Sequence, residues 1–321
     1  MRYIVRLAVP RLALSMVTLV AVSLMIFWGT ELLPGDTATR ILGRDATPQS
    51  VAALRRQLHL DEPAWHRYEL WLEHFVAGNW GQSLAARRPV TDYVVPRLEN
   101  SLKLAGFALA IYIPLSLILG ITTAILHGRR TGGLLTAVVV AGTAVPEFVV
   151  GLMLLLTFAV KLPWFPPLAL VDQTHGFFDL LRTLTLPAVT LAAAITAYAV
   201  RMMQGSLVPV LESDYVRLAT LKGLSRRRVI LRHALPNALG PALRVTVLNI
   251  AFVIGGIVPV EVVFNFPGIG QLLVDSIRVL DVPVIEAIAM ILAGVYILAN
   301  LSADLVTGAL NPRLRAAAAA R

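Results

Sequence analysis

The chain has 321 residues, 57% of them hydrophobic and 15% charged, with a formal net charge of +9 and a mean hydropathy of +0.74. That balance excludes an ordinary soluble domain, and several apolar runs approach the roughly 20 residues that cross a bilayer. The absence of cysteine excludes disulfides, a C-x-x-C redox centre and thiolate metal sites.

The spacing predicts an all-α, polytopic membrane protein with six spanning helices, at about 9–31, 101–126, 134–160, 186–207, 241–263 and 284–308. Arg2, Arg6 and Arg11 lead into the apolar run Leu12 to Trp28. This run is too long for a signal-peptide core, so it reads as the first span.

An excursion at about 32–100 follows. Thr47-Pro48 marks a helix start, with Val51, Leu54 and Leu58 at helical spacing, and Asp61-Glu62-Pro63 marks a second. Trp65, Tyr68, Leu72 and Phe75 then form an aromatic stripe, expected to pack on the bundle rather than to recognise a receptor.

Within the third predicted span, Glu147 follows Pro146. A carboxylate there either faces a water-filled path, where it could bind a peptide amine, or has a structural partner or an interfacial place.

Between the fourth and fifth spans, at about 208–240, Arg217, Lys222, Arg226, Arg227, Arg228, Arg232 and His233 alternate with apolar residues. Two short amphipathic helices broken near Gly223 fit this pattern. Ser225 is placed to cap the second, and Pro236 and Pro241 are expected to stop it. Leu221, Leu224 and Val229 are expected on the outward apolar side, with Arg226 to Arg228 steering an acidic surface.

The second outer loop, at about 264–283, carries a turn at Phe264-Asn265-Phe266-Pro267-Gly268, and Glu261, Asp275, Asp281 and Glu286 give it an acidic character. Near the end of the last span Asp304 is expected to serve an interfacial or ion-pair role. The run Ala316 to Ala320 reads as a frayed tail.

Orientation follows from basic residues in the short loops. They cluster before span 1, at Arg129 and Arg130, in the 208–240 loop and at Arg313, while the opposite side holds Lys161, Arg182 and Arg278. Both termini are therefore predicted cytoplasmic. The same placement accounts for most of the positive charge, so no nucleic-acid partner is expected.

No catalytic constellation emerges. Gly81-Gln82-Ser83 lacks the rest of a G-x-S-x-G elbow, and there is no H-E-x-x-H. His59, His66, His74, His127, His175 and His233 fall in the excursion or in loops. There is also no G-x-x-x-x-G-K-[ST] phosphate loop, so this chain is not expected to be an enzyme, and any ATP work falls to a partner. A secondary carrier would show a paired or inverted half with matching interrupted helices, which is not seen in six helices.

The spacing of Ala219, Gly223 and Leu235-Pro236 resembles the loop signature of ABC importer permeases, with Arg217, Leu218 and His233 departing from it as the peptide-importer branch does. Further segments are similar to that branch: LPGD at 33–36, QLHLDEP at 57–63, GNWGQS at 78–83, PVTDYVVPRLENSLKLA at 89–105, and VEVVFNFPGIGQLL from Val260 to Leu273. Asp281-Val282-Pro283-Val284-Ile285 and Asn311-Pro312-Arg313 complete the resemblance.

The resemblance implies a type I ABC importer permease fold, one permease domain over 1–321, in a prokaryotic cell membrane. It implies a second homologous permease, two cytoplasmic ATPase subunits or domains that use ATP and Mg, membrane lipid, and an extracytoplasmic substrate-binding protein that delivers dipeptides or oligopeptides. Nickel-chelate and glutathione importers share these motifs.

The resemblance assigns coupling to the ATPase to Ala219, Lys222, Gly223, Leu224, Arg226, Arg227, His233, Leu235 and Pro236. Glu147, Asn249, Phe252 and Glu261 are the candidates for the translocation path. No cofactor or metal is expected on this chain.

Overall fold

The computed structural model describes residues 2–32, 39, 47–57, 61–171, 174 and 176–310. The LPGD segment, Leu58 and His59 of the QLHLDEP segment, His175, Asn311-Pro312-Arg313 and the alanine run lie outside the described residues.

The chain runs α1 (Arg2–Glu31), α2 (Pro48–Gln57), α3 (Ala64–Val76), α4 (Val90–Ile125), α5 (Arg130–Ala144) and α6 (Glu147–Leu154), which passes into a π-helical segment, Leu155–Lys161. There follow α7 (Phe177–Leu211), α8 (Asp214–Leu221), α9 (Arg226–Arg228), a second π-helical segment (Val229–Ala234), α10 (Leu235–Val263), α11 (Ile269–Val279) and α12 (Val282–Leu310). Among the described residues the only β pairing is an isolated bridge between Gln82 and Pro89.

Among the described residues four helical stretches are long and apolar enough to cross a membrane: Val9–Glu31, Val90–Ile125, Phe177–Leu211 and Val282–Leu305. A fifth arises if Arg130–Gly142 and Glu147–Lys161 count as one broken span. The remaining predicted span, 241–263, falls within the 29-residue α10.

Three boundaries differ from the expectation. The helices predicted at 101–126 and 186–207 begin earlier, at Val90 and Phe177, and Pro89 pre-sets the backbone angle for entry into α4. The predicted helix 134–160 is not continuous. Val145 is held in the β region because it precedes Pro146, and the two halves bend by 101°.

Pro236 and Pro241 also do not stop the preceding helix. Pro236 sits in the first turn of α10, where a missing N–H costs least, and the chain stays helical from Arg226 to Val263.

The bundle is organised on α7. Its apolar window is 72% buried, against 11% for α1, so α7 forms the middle and α1 the rim. Contact with α4 is close: a Cβ at Gly120 would fall 2.7 Å from Met203 Cβ. The main core joins Leu104, Ala108 and Tyr112 of α4, Leu191 and Ile195 of α7, and Val253, Ile257 and Val260 of α10.

At the rim, α1 packs on α12, and Asp304 pairs with Arg11. The ion-pair role expected for Asp304 is thus filled by a partner almost the whole chain away. The aromatic stripe of α3 lies on α1, where Phe27 meets Tyr68 and Trp71 edge to face and tilted, and Ser23 Oγ and Tyr68 Oη hydrogen-bond at 2.7 Å. Trp65 points away and is 62% exposed, so Trp71 rather than Trp65 completes the stripe.

Candidate functional site

The two ends of α10 lead to two differently built regions. At one end lies the loop α8–α9. Ser213, in extended conformation, opens α8, and the helical phase then turns Val216 and Ala219 inward against Ala124, Leu207, Val229, Ala234 and Ala238. Tyr215, Leu218 and Leu221, at i, i+3 and i+6, face outward, and Leu221 is 83% exposed. Leu211, Asp214, Arg217, Leu218 and Leu221 line a groove of about 550 Å³ along this outward face.

Lys222 caps α8, and Gly223 then adopts φ +81°, a left-handed conformation that a residue with a Cβ adopts only under strain. Gly223 N donates to Thr220 O at 3.0 Å, closing the helix end. Ser225 stands at the N-cap of α9, but its hydroxyl makes no cap bond. Arg226 and Arg227 are exposed, and Leu224 is half-buried against the α8 cluster.

The π-helical segment then carries Val229 inward, to 4% exposure. Only Leu221 of the three apolar residues expected to face out does so. Leu218 and Tyr215 replace Leu224 and Val229, and the three-residue spacing along α8 is the signal that would have found them. His233 is half-buried, Leu235 half-buried and Pro236 exposed. Asn237 Nδ2 donates to His233 O at 2.9 Å and to Tyr215 Oη at 3.1 Å, tying the start of α10 back to α8.

At the other end of α10, the acidic residues are turned inward. Glu261 is 0% exposed and accepts from Gly270 N at 2.7 Å, Gln271 N at 3.0 Å and Ser101 Oγ at 2.5 Å. Ser101 Oγ in turn accepts from Ile269 N, and Asn100 Nδ2 donates to Pro267 O. One carboxylate thereby holds the first turn of α11 against both α10 and α4. The space is made by glycine: a Cβ at Gly268 would fall 2.0 Å from Glu261 Oε1.

Asp281 accepts from the Ser83 hydroxyl, from Leu84 N at 3.0 Å and from Ala85 N at 3.3 Å, clamping the GNWGQS segment. Glu286 accepts from Thr30 Oγ1 at 2.5 Å. Of the four acids expected to give this loop an acidic surface, Asp275 alone is exposed, near Gln271 and Arg278. Phe264 and Phe266 are buried, with Asn265 between them at φ +47°.

The four path candidates differ in exposure and partners. Asn249 is buried and donates to Tyr112 Oη at 2.7 Å, whereas Phe252 on the same helix is 62% exposed. Glu261 is enclosed in the clamp just described. Glu147 is half-buried at the break before α6, beside Gly256 of α10, where an added Cβ would meet its Oε2 at 2.9 Å. Among the described residues no cluster of three or more potential metal ligands occurs.

Comparison with known proteins agrees with this arrangement. Residues 1–105 match the family model "Binding-prot-dependent transport system membrane comp, N-term" and residues 116–316 the model "Binding-protein-dependent transport system inner membrane component". The chain is 36% identical over 298 residues, 93% of its own length and 95% of theirs, to the glutathione transport system permease protein GsiC of Escherichia coli K12. The GsiC proteins of Escherichia coli O1:K1 and of Shigella flexneri serotype 5b match over the same extent. With helices suited to crossing a membrane and a family match over most of its length, this chain belongs to the binding-protein-dependent transport system inner membrane components, as a multi-pass ABC importer permease of a prokaryotic inner membrane.

Proposed function

We propose that the chain is one of two permease subunits of an ATP-driven importer that moves small peptides delivered by an extracytoplasmic binding protein. In this reading it crosses the membrane six times, with α10 and the joined α5–α6 pair completing the set, and both termini face the cytoplasm. The observation that carries the proposal is the outward face of α8, where Leu218 and Leu221 lie exposed beside Arg217 and the exposed run Arg226 to Arg228. Buried apolar anchors rimmed by charge are what a docking partner needs.

A cytoplasmic ATPase, using ATP and Mg, seats on that face. Gly223 sets the angle between α8 and α9, Ala219 and Leu224 hold α8 to the bundle, and Lys222, Arg226 and Arg227 meet acidic residues of the partner. His233, Leu235 and Pro236 pass the movement into α10, which stays helical to its far end. Glu147, Asn249 and Phe252 are the residues of α6 and α10 proposed to face the substrate, while Glu261 orients α11 beside the path.

Glutathione, itself a tripeptide, is the narrower substrate supported by the names of the relatives. Affinity purification of the tagged full-length chain from its membrane, with proteins identified by mass spectrometry, tests the reading. Recovery of a second permease and ATPases, lost in a Gly223→Asp, Arg227→Glu variant, is the expected result. A chain recovered without any ATPase would overturn it.

A further inference from the structure

Glu147 opens α6 directly after the break at Val145-Pro146, where the two halves of the α5–α6 pair meet at 101°. Among the described residues its carboxylate makes no hydrogen bond and no ion pair. By contrast the acids of α10 and α12 all have partners: Glu261 and Glu286 accept from hydroxyls, and Asp304 pairs with Arg11. A carboxylate between apolar stretches is costly unless something pairs with it. This one is only half-buried, so a ligand can reach it.

The room beside it is on α10. Gly256 is buried against the carboxylate, and a Cβ there would fall 2.9 Å from Glu147 Oε2, whereas a Cβ at the exposed Gly255 would meet nothing within 4 Å. Phe252 stands one turn before Gly256 on the same helix face and is 62% exposed. An unpartnered anion, an open gap and an aromatic ring thus adjoin where a helix is broken. Together they suit a primary ammonium on a short apolar body: the carboxylate accepts its N–H groups, and the ring attracts the cation.

On the basis of the importer function proposed above, we infer that Glu147 recognises the free α-ammonium of the peptide in transit, which narrows the substrate class to peptides with an unblocked amino terminus. Phe252 flanks the ammonium, and the first residues of the peptide pass along Gly255.

A single cysteine placed beside the carboxylate tests this, because the chain has none of its own. A Gly255→Cys chain, in the complex purified from its membrane, would be reacted with a small methanethiosulfonate in the presence of millimolar trialanine or N-acetyltrialanine. Mass spectrometry follows the label on this chain alone. Trialanine should slow labelling about fivefold, and the acetylated peptide should leave the rate unchanged. Adding Glu147→Gln should abolish the protection, while Glu147→Asp should keep part of it, which separates a lost carboxylate from a misfolded chain.

Equal protection by the two peptides, protection by neither, or full protection in Glu147→Gln would overturn the inference while leaving an assembled importer intact. Loss of the second permease from the Glu147→Gln complex would also overturn it, by giving the carboxylate to the partner subunit. A chain recovered without ATPases would overturn the importer function itself, and the inference with it, before any peptide is added.

Discussion

The two ends of α10 treat their charged residues in opposite ways. At the α11 end, Glu261, Asp281 and Glu286 are buried and supplied with donors from α4, the 83–85 segment and α1. At the α8 end, arginines lie exposed and Leu218 and Leu221 face out. A buried carboxylate with several donors fixes neighbouring segments in one geometry, whereas exposed apolar residues ringed by unpaired cations gain most when a partner covers them. One end is therefore completed within the chain, and the other presents the exposed face proposed above to receive a partner.

If that contrast is sound, substitutions at the two ends should separate stability from association. The largest stability effect is expected at Glu261→Ala, which strands Gly270 N, Gln271 N and the Ser101 hydroxyl in a buried site. A loss of about 3 kcal/mol should appear as a lowered thermal midpoint in detergent. Next comes Asp281→Ala, which frees Leu84 N and Ala85 N at a cost of about 2 kcal/mol. Limited proteolysis should then cut between residues 78 and 89, a segment the wild-type clamp protects.

A smaller effect belongs to Tyr68→Phe, which removes the Ser23 hydrogen bond and keeps the ring contacts, at about 1 kcal/mol by the same melting assay. At the other end, Leu221→Ser should change stability by no more than about 0.5 kcal/mol while lowering the ATPase recovered with the chain. Equal melting losses at Leu221 and Glu261 would break the comparison, because α8 would then be core rather than surface.

The sequence carried the helical class, the family and the place of the α8–α9 loop with its Gly223 turn. The class rests on apolar run length, the family on the motif segments that resemble it, and the loop on alternating basic and apolar residues around a glycine whose positive φ the structure shows. The carboxylate clamps were not legible, because donors that complete them lie far off in the chain; Ser101 meets Glu261 from 160 positions away and Leu84 meets Asp281 from 197. An acid in a loop reads as surface until the fold brings a donor to it.

The facing of Leu224 and Val229 was misread for a different reason. Leu224 directly follows the left-handed Gly223 turn and packs back onto the α8 cluster, and Val229, the first residue of the π-helical segment, is buried in the same cluster. The break at Val145 was legible in principle, since Pro146 disfavours helix at the residue before it, yet the apolar run on both sides hid it.

The absence of cysteine allows the most direct test of an unfinished face on α8. Single-cysteine variants Leu221→Cys and, as a buried control, Ala219→Cys would be labelled with a membrane-impermeant maleimide, on the chain alone and within the complex purified from its membrane. Position 221 should label rapidly on the isolated chain and be protected in the complex, with 219 slow in both states. Equal labelling of 221 in the two states would contradict the account, since no partner would then cover α8.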